Sequence, residues 1–331
     1  MARPRGKIVA VCQNKECDFY QRENGKDLVK RGFNRAGTQR YFCLHCGTYL
    51  VETKGTPMYR RRLSERKVRH LCELFVEKNG VRSVSRLTKL NKNTVGNWLN
   101  NLAEHATHLT DYLVKNLDLS AYEVDEFWTT VKKKQKKVKP DSPTRDREGD
   151  AWTYTCIKRE SYFFVAFAVG KWTQQTCRQM LAQVAKRVCL QTFAYRLGIY
   201  SDGNDDYTYV LPEFFRTDTI NYGQLVKIRE SGRVVDKLHR VVFGNPSKKE
   251  IETTDVENFN GILRERIGRI VRETKCYAKS FDPLANAIGL FQFYWNFMHE
   301  LHETLTPAKI EGISTKTWTW GNMIHYRIKV S

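Results

Sequence analysis

The chain contains no long apolar run. The longest, Tyr162 to Val169, falls far short of the roughly 18 apolar residues that a membrane-spanning helix needs. The first residues, Met-Ala-Arg-Pro-Arg-Gly-Lys, lack the apolar stretch of a signal peptide. These absences argue against a membrane-embedded or secreted protein, and we expect a soluble, cytoplasmic one.

Acidic residues are scarce relative to basic ones. The sequence has 36 Asp and Glu against 56 Lys and Arg, which gives a net charge of +20. A hydrophobic content of 41% with 12% aromatics excludes a disordered polycation, so the charge must lie on the surface of a folded protein. Nucleic acid is the expected partner, with an anionic membrane second. The 331 residues predict two or three domains, one of them small.

Four of the nine cysteines have the spacing of a metal site. Cys12 and Cys17 form a Cys-x4-Cys pair, Cys43 and Cys46 form a Cys-x2-Cys pair, and 25 residues separate the two pairs. In a reducing compartment this pattern favours zinc over disulfides. Four thiolates leave no open position on the ion, so the Zn²⁺ would be structural. We predict a zinc ribbon with one Zn²⁺ over residues 1–55, with unrelated thiols as the alternative.

Helical periodicity replaces this pattern over residues 56–115. We predict a helix that begins at Leu63-Ser64-Glu65 and ends near Asn79-Gly80, a short second helix, and a third helix after a turn at residues 90–93. Core positions are predicted at Val81, Val84 and Leu87 of the second helix and at Val95, Trp98 and Leu99 of the third. This order is typical of a helix-turn-helix, although a plain helical bundle has the same pattern. The predicted DNA contacts here are Arg60, Arg61, Arg62, Lys92, Asn93, Thr94 and Asn97.

The rest of the chain predicts an α/β domain over residues 116–305. The predicted elements are a strand at Tyr122–Val131, a hairpin at Trp152–Lys158 and Ser161–Val169, a helix at Gln174–Leu190 and a strand at Arg196–Ser201. This is the element order of an RNase H-like core. Three acidic phrases, around Asp125, Asp202 and Glu257, fall on its first strand, after its fourth strand and on a late helix. A helix over Leu284–His302 is predicted to cover the sheet with its aromatic residues.

Carboxylates at these positions suit metal-dependent cleavage of a phosphodiester. Two Mg²⁺ ions about 4 Å apart stabilise both the attacking and the leaving oxygen, and hard cations prefer oxygen ligands.

Several phrases resemble one known family. They are Asp-Glu-Phe-Trp-Thr-Thr-Val-Lys-Lys-Lys, Tyr-Ser-Asp-Gly, Ala-Lys-Ser, and the stretch from Val256 to Thr274. With the cysteine pairs and the predicted helices, they make the chain similar to transposases of the insertion-sequence-one family, of the Asp-Asp-Glu type. The resemblance implies that Asp125, Asp202 and Glu257 bind two Mg²⁺ (or Mn²⁺) and catalyse strand cleavage and strand transfer. It implies a prokaryotic, nucleoid-associated protein that binds double-stranded DNA, both element ends and target, without a membrane, as a homo-oligomer of at least a dimer.

Further DNA contacts are predicted around this site. They are Lys132, Lys133 and Lys134 in a basic loop, and Asn260, Arg264, Arg266, Arg269 and Arg272 along the helix that carries Glu257. A spacer of 54 residues before Glu257 predicts an insertion near 218–244, with turns at Tyr222-Gly223 and Ser231-Gly232 and a last strand at Arg240–Phe243. Residues 306–331 are predicted to form a C-terminal tail.

Each acidic position has an alternative. Strand alternation puts Glu123 and Asp125 on one face and Glu126 on the other, and the pattern alone does not choose between the faces. Asp202 precedes a glycine and would also suit an ordinary turn. Thr254 and Glu257 have the spacing of a capping box, in which case Asp255 would be the ligand.

Two other functions have the same sequence features. One is a DNA-binding regulator with a zinc ribbon, a helix-turn-helix and an inactive RNase H-like domain. The other is a nuclease or resolvase of that fold that hydrolyses DNA without strand transfer.

Overall fold

A computed structural model describes residues 10–22, 27–35, 37–189, 196–271 and 277–328. The chain divides into two compact units, Met1–Arg69 with Trp320–Ser331, and His70–Thr319. The four-part division predicted from the sequence stays a prediction. Among the described residues, no helix has the length and apolar character needed to cross a membrane.

The described elements run in the following order. The strands are β1 (Leu28–Phe33), β2 (Gln39–Cys43), β3 (Tyr49–Val51), β4 (Ala121–Val131), β5 (Gly149–Lys158), β6 (Phe163–Gly170), β7 (Leu197–Asp202), β8 (Ile220–Glu230) and β9 (Arg233–Phe243). The helices are α1 (Glu65–Val76), α2 (Val81–Thr88), α3 (Lys92–Leu113), α4 (Gln174–Arg187), α5 (Asp206–Phe214), α6 (Thr254–Arg266), α7 (Phe281–Phe297), α8 (Pro307–Ile310) and α9 (Trp320–His325).

The first unit contains a three-stranded antiparallel sheet in the order β1-β2-β3. Its buried cluster is small and consists of Ala10, Cys12, Cys17, Leu28, Tyr41, Cys43 and Leu50. Three of these seven side chains are thiols, so the aliphatic and aromatic surface that remains is limited. A core of this size supplies little folding free energy by itself.

The three predicted helices are present, with two differences from the prediction. Leu87 is 59% exposed, whereas Val84 beside it in α2 is fully buried. The expected core position at Leu87 is therefore wrong, because an eight-residue helix buries one narrow stripe. The turn at 90–93 already contains the start of α3, since Asn91 caps the helix by accepting from the Asn93 backbone N–H at 2.8 Å. Val95, Trp98 and Leu99 are buried as predicted.

The second unit is built on a six-stranded mixed sheet in the order β6-β5-β4-β7-β8-β9. Strands β4, β5 and β6 are antiparallel neighbours, β7 is parallel to β4, and β8 is parallel to β7. This mixed α/β arrangement is compatible with the RNase H-like core that the sequence predicts. The predicted strands are present within a few residues, and α4 ends at Arg187, while Leu190 lies outside the described residues.

The region near 218–244 belongs to the sheet. It forms the antiparallel hairpin β8-β9, which turns at Ser231 and Gly232 with φ values of 49° and 80°. The predicted turn at Ser231-Gly232 is confirmed, whereas the turn at Tyr222-Gly223 is wrong because both residues lie within β8. A Cβ on Gly223 would lie 2.5 Å from Ile251 Cγ1, so this glycine permits close packing. The last strand begins at Arg233, seven residues before the predicted start.

Helix α7 covers part of this sheet, contacting α3 and β6. Its aromatic residues Phe291, Phe293, Trp295 and Phe297 are buried. The predicted helix is thus confirmed, although it begins three residues before Leu284 and ends at Phe297.

Candidate functional site

The pairing of β4 with β7 brings two predicted carboxylates together. The parallel ladder pairs Val124 with Ser201, and Asp125 and Asp202 are the next residue on each strand. Their carboxyl groups meet at the carboxyl end of β7, where the ladder stops. In open α/β sheets, polar groups that bind ligands lie at the carboxyl ends of neighbouring parallel strands.

Glu126 joins these two residues. One carboxylate oxygen from each of Asp125, Glu126 and Asp202 lies within 4.8 Å of the others. The expectation that Glu126 faces away from Asp125 is therefore wrong at the level of the carboxylate. The ladder between β4 and β7 stops at Val124, so Asp125 and Glu126 lie where β4 has lost this partner, before its bridge from Val131 to Ala278. Tyr207 helps by donating its hydroxyl to Glu126 Oε2 at 3.0 Å.

Asn260 is part of this site and is not a surface residue. Its side chain is 1% exposed; the amide nitrogen donates to Asp125 Oδ2 at 2.8 Å, and the amide oxygen accepts from the Thr155 hydroxyl at 2.9 Å. The predicted DNA contact at Asn260 is wrong, because both polar ends of the side chain are used inside the protein. Asn260 instead fixes the orientation of the Asp125 carboxylate.

Glu257 lies beside the cluster but outside the group of three. Its Oε1 atom accepts from the Thr253 hydroxyl at 2.8 Å and forms an ion pair with Lys227 of β8. Glu257 also acts on these carboxylates through its charge. Desolvation is the main cause that raises the pKa of Asp125 and of Asp202, and the negative charge of Glu257 adds to it.

The structure contains neither the capping box predicted for Thr254 and Glu257 nor a carboxylate group that includes Asp255. Helix α6 begins at Thr254 with Thr253 as its N-cap, so Glu257 is one residue too far along for the predicted capping box. Asp255 accepts a hydrogen bond from the Tyr162 hydroxyl at 2.5 Å and is not in the carboxylate group.

Glu123 connects β4 to the start of α6. It is fully buried, accepts from Arg159 Nε at 2.7 Å and accepts the Val256 backbone N–H at 2.9 Å. A carboxylate at the first turn of a helix satisfies unpaired N–H groups and opposes the positive end of the dipole. Glu123 therefore holds in place the helix that carries Asn260 and Glu257.

Burial and mutual repulsion dominate the electrostatics of the cluster. Desolvation, reinforced by Asp202, raises the pKa of Asp125 to about 7 although Asn260 opposes the shift. Desolvation, Asp202 and Asp125 raise the pKa of Glu126 to about 8, and desolvation also raises the pKa of Asp202. Without a cation, the folded protein thus retains protons here near neutral pH. Oxygens at this separation fit the ligand sphere of a hard cation, so the group could bind Mg²⁺.

These raised pKa values predict an unusual dependence of stability on pH. The folded state binds protons that the unfolded chain has released, so the stabilising contribution is fully present below about pH 4 and is lost as pH rises through about 7 to 8. We expect the free energy of unfolding, measured by urea denaturation without divalent cations, to fall over this range. The double variant Asp125→Asn/Glu126→Gln should remove most of the fall. Parallel profiles for the variant and the natural protein would contradict the assignment.

The four predicted cysteines come together in the first unit. Their sulfur atoms all lie within 4.8 Å of one another, with 3.7 Å between Cys12 and Cys46 and 3.9 Å between Cys17 and Cys43. A Zn–S distance of about 2.3 Å in tetrahedral geometry gives sulfur separations of about 3.8 Å. The donor set therefore fits Zn²⁺, and the cluster could hold one ion.

The predicted DNA-contacting residues near the helices are largely exposed. Exposed side chains are Arg60, Arg61, Arg62, Lys92, Asn93 and Asn97, and Thr94 is half-buried. The basic loop after β4 differs from the prediction. Lys132 and Lys133 form ion pairs with the buried Glu148 at 2.8 and 2.7 Å, and Lys134 is exposed.

The three described arginines of the set predicted near α6 do not form one row along the helix. Arg264 lies over the Phe127 ring at 4.9 Å, and Arg266 donates to Val76 O at 3.2 Å and pairs with Glu77. Arg269 comes after the end of α6, and desolvation lowers its pKa to about 10. Arg272 lies outside the described residues. The placement of Arg269 on the helix that carries Glu257 is therefore wrong, because α6 ends at Arg266.

Comparisons with known proteins add little to this geometry. No family model matches the chain, and no curated protein matches it. Eleven chains of solved structures match, among them one from the crystal structure of the Mos1 strand transfer complex. That match has 11% sequence identity and a TM-score of 0.26, and covers 82% of this chain and 80% of the other. A match at this level assigns neither a fold nor a function to this chain.

Proposed function

We propose that this protein is a DNA transposase of the insertion-sequence-one type, which cleaves DNA strands at element ends and joins them to target DNA. The observation that carries the proposal is the group formed by Asp125, Glu126 and Asp202, whose oxygens lie within 4.8 Å at the junction of β4 and β7. The resemblance of the surrounding phrases to that family adds support, as does the net charge of +20.

The carboxylates would hold two Mg²⁺ ions, which when bound supply Lewis acidity to the attacking and leaving oxygens of a phosphodiester. The protein contributes preorganisation. Asn260 orients Asp125, and the Asn204 backbone N–H donates to Asp202 Oδ1 at 3.0 Å. Glu257 is the proposed further ligand, and it would exchange its ion pair with Lys227 for the metal.

The other parts have supporting roles in this proposal. The cysteine cluster holds one structural Zn²⁺, and α1 to α3 form a helix-turn-helix in which Lys92, Asn93 and Asn97 contact DNA. Exposure of these three side chains at the start of α3 supports such a contact. Holding two element ends together requires at least two copies of the chain.

Strand transfer is the activity that tests the proposal. Purified protein would be incubated with Mg²⁺ and a duplex carrying the DNA that flanks the coding region, ending in a pre-cut 3′-hydroxyl, together with a target plasmid. We expect joined products that need Mg²⁺ or Mn²⁺. Cleavage without joined products would favour a hydrolytic nuclease, and DNA binding without either reaction would favour an inactive regulator; both results would overturn the proposal.

A further inference from the structure

A basic cavity lies between the predicted DNA-binding helices and the segment that follows α6. Its volume is 470 Å³, and its cationic lining residues are Lys78, Arg82, Arg86, Lys92, Arg269 and Lys279. Among the described residues the lining includes no carboxylate. Six like charges around one small cavity repel one another unless an anion lies between them.

The two walls of this basic cavity are fixed to each other. The Lys78 backbone N–H donates to Arg266 O at 2.9 Å, and Lys78 O lies 2.6 Å from where a Cβ on Gly268 would stand. On the far wall, Arg269 donates to Pro283 O and is desolvated. The Lys78 backbone is thus fixed to the segment at the end of α6, and the Arg269 guanidinium is fixed to Pro283.

Most of the cationic groups remain available to a ligand. Arg82, Arg86 and Lys92 are exposed, and none of the six forms an ion pair with a carboxylate in the described parts of the chain. Gly80, the N-cap of α2, offers no side-chain acceptor to the first N–H groups of the helix, and the residues Val81, Arg82 and Ser83 of this first turn line the cavity. Such N–H groups add to an anion site formed by other residues.

We propose that the basic cavity binds a backbone phosphate of DNA. This inference rests on the proposed function, in which DNA is the substrate, and adds a contact that joins the DNA-binding helices to the catalytic unit. Because Arg266 and Gly268 adjoin the end of α6, DNA bound here would be placed relative to the helix that carries Glu257. The contact is to phosphate and should not depend on base sequence.

Binding of a short duplex of arbitrary sequence, measured by fluorescence anisotropy without divalent cations, tests the cavity. For Arg82→Ala/Lys279→Ala we expect weaker binding on the order of tenfold, and a salt-dependence slope smaller by about 2. Both side chains are exposed, so folding should persist, and circular dichroism would verify it. The matched control is Lys186→Ala/Lys316→Ala, which removes two exposed positive charges outside the cavity.

Equal loss of affinity in the two double variants, or an unchanged salt slope, would overturn the cavity assignment. The test does not depend on catalysis. A protein that binds DNA through the cavity but never joins strands would refute the proposed function and leave this inference standing.

A second, independent observation concerns the edge strand β9. It is the last strand of the sheet, and it exposes Val234, Val235, Leu238 and Val241 by 43%, 52%, 54% and 45%. Natural edge strands usually carry features that prevent pairing with another chain. An edge strand with four exposed aliphatic side chains is a surface for strand addition.

The sequence of β9 is complementary to itself. In an antiparallel pair of two β9 strands centred on Leu238, Leu238 faces its own counterpart, Asp236 faces Arg240, and Val235 faces Val241. Each of these cross-strand pairs is favourable, and the two-fold axis repeats the last two. Centring the pair on Asp236 would instead place two like charges opposite each other. Of these two registers the one centred on Leu238 is favoured, and it also places Lys237 opposite His239.

We propose that β9 pairs with β9 of a second copy of this chain, joining two six-stranded sheets edge to edge. Within its own chain Arg240 already donates to Asp205 at 2.6 Å and remains 45% exposed at the side chain, which leaves donors for a second carboxylate. A dimer built this way uses the hairpin β8-β9, which lies in the region predicted as an insertion.

Analytical ultracentrifugation of charge variants tests the interface. We expect a dimer for the natural chain, a monomer for Leu238→Lys and for Asp236→Arg, and restoration of the dimer by Asp236→Arg/Arg240→Asp. Ile228→Lys is the control, because Ile228 is 43% exposed and lies on β8, not on β9. A monomeric natural chain, or a dimer that survives both Leu238→Lys and Asp236→Arg, would overturn the proposal.

Discussion

Replacing Asp202 by asparagine should abolish strand cleavage, with a rate at least about 1000-fold lower, while the protein without metal becomes more stable. Both effects follow from one property of the site. In the proposed function Asp202 would supply negative charge to a bound cation, and a neutral amide would not replace it. Without a cation the same charge is unfavourable, since burial raises the pKa of Asp202 and its charge raises those of Asp125 and Glu126.

The measurement pairs Mg²⁺-dependent cleavage of end DNA with urea unfolding in metal-free buffer near pH 8. Asp255→Asn is the matched control, because Asp255 lies on the same helix as Glu257 and bonds to Tyr162 outside the carboxylate group. We expect the control to retain cleavage within about tenfold. Retained cleavage by Asp202→Asn would contradict the assignment of the site, as would a loss of stability without metal.

Local patterns sufficed for much of the sheet. Strands β4 to β7 were predictable because each combines apolar residues with turn signals at its ends, and these properties belong to neighbouring residues. Asp125 and Asp202 were predicted from their places on strands together with the resemblance to a known family, because strand alternation alone did not choose between Asp125 and Glu126. The cysteine pairs were also local signals, in which two short spacings bring four thiols together.

The errors came from contacts between distant residues. Asn260 looks like a polar surface residue of a helix, but its partners Asp125 and Thr155 lie 135 and 105 residues away in the sequence. Glu126 was assigned to the wrong side because alternation describes where successive Cβ atoms point, whereas the carboxylate of a longer side chain can reach the other side where the ladder with β7 stops. The adjacent acidic residues Asp125 and Glu126 on the first predicted strand of the domain were the sequence signal that could have indicated a shared site. Gly268, two residues after the last residue of α6, was a local signal for the end of this helix, and Arg269 lies beyond it.

The hairpin β8-β9 shows the same limit in another form. Its strands contain Lys227, Asp236 and other charged residues on both faces, so no apolar face indicates a buried strand. Pairing with β7 through six registered residues makes β8 part of the sheet, and this contact is absent from any local pattern.

Removal of zinc should unfold the first unit and leave the second folded. The buried cluster there is small and includes three of the four candidate ligands, so the ion would supply much of the folding free energy. Structural zinc contributes about 10 to 16 kcal/mol in small domains. We expect Cys43→Ser to lose bound zinc, measured by elemental analysis, and to make residues 10–69 sensitive to limited proteolysis. Cys72→Ala is the control, because Cys72 is equally buried but lies on α1, outside the cluster. It should keep one zinc per chain and protect the first unit. A zinc-free natural chain that resists proteolysis over residues 10–69 would contradict the prediction, since the thiols would then be core residues only.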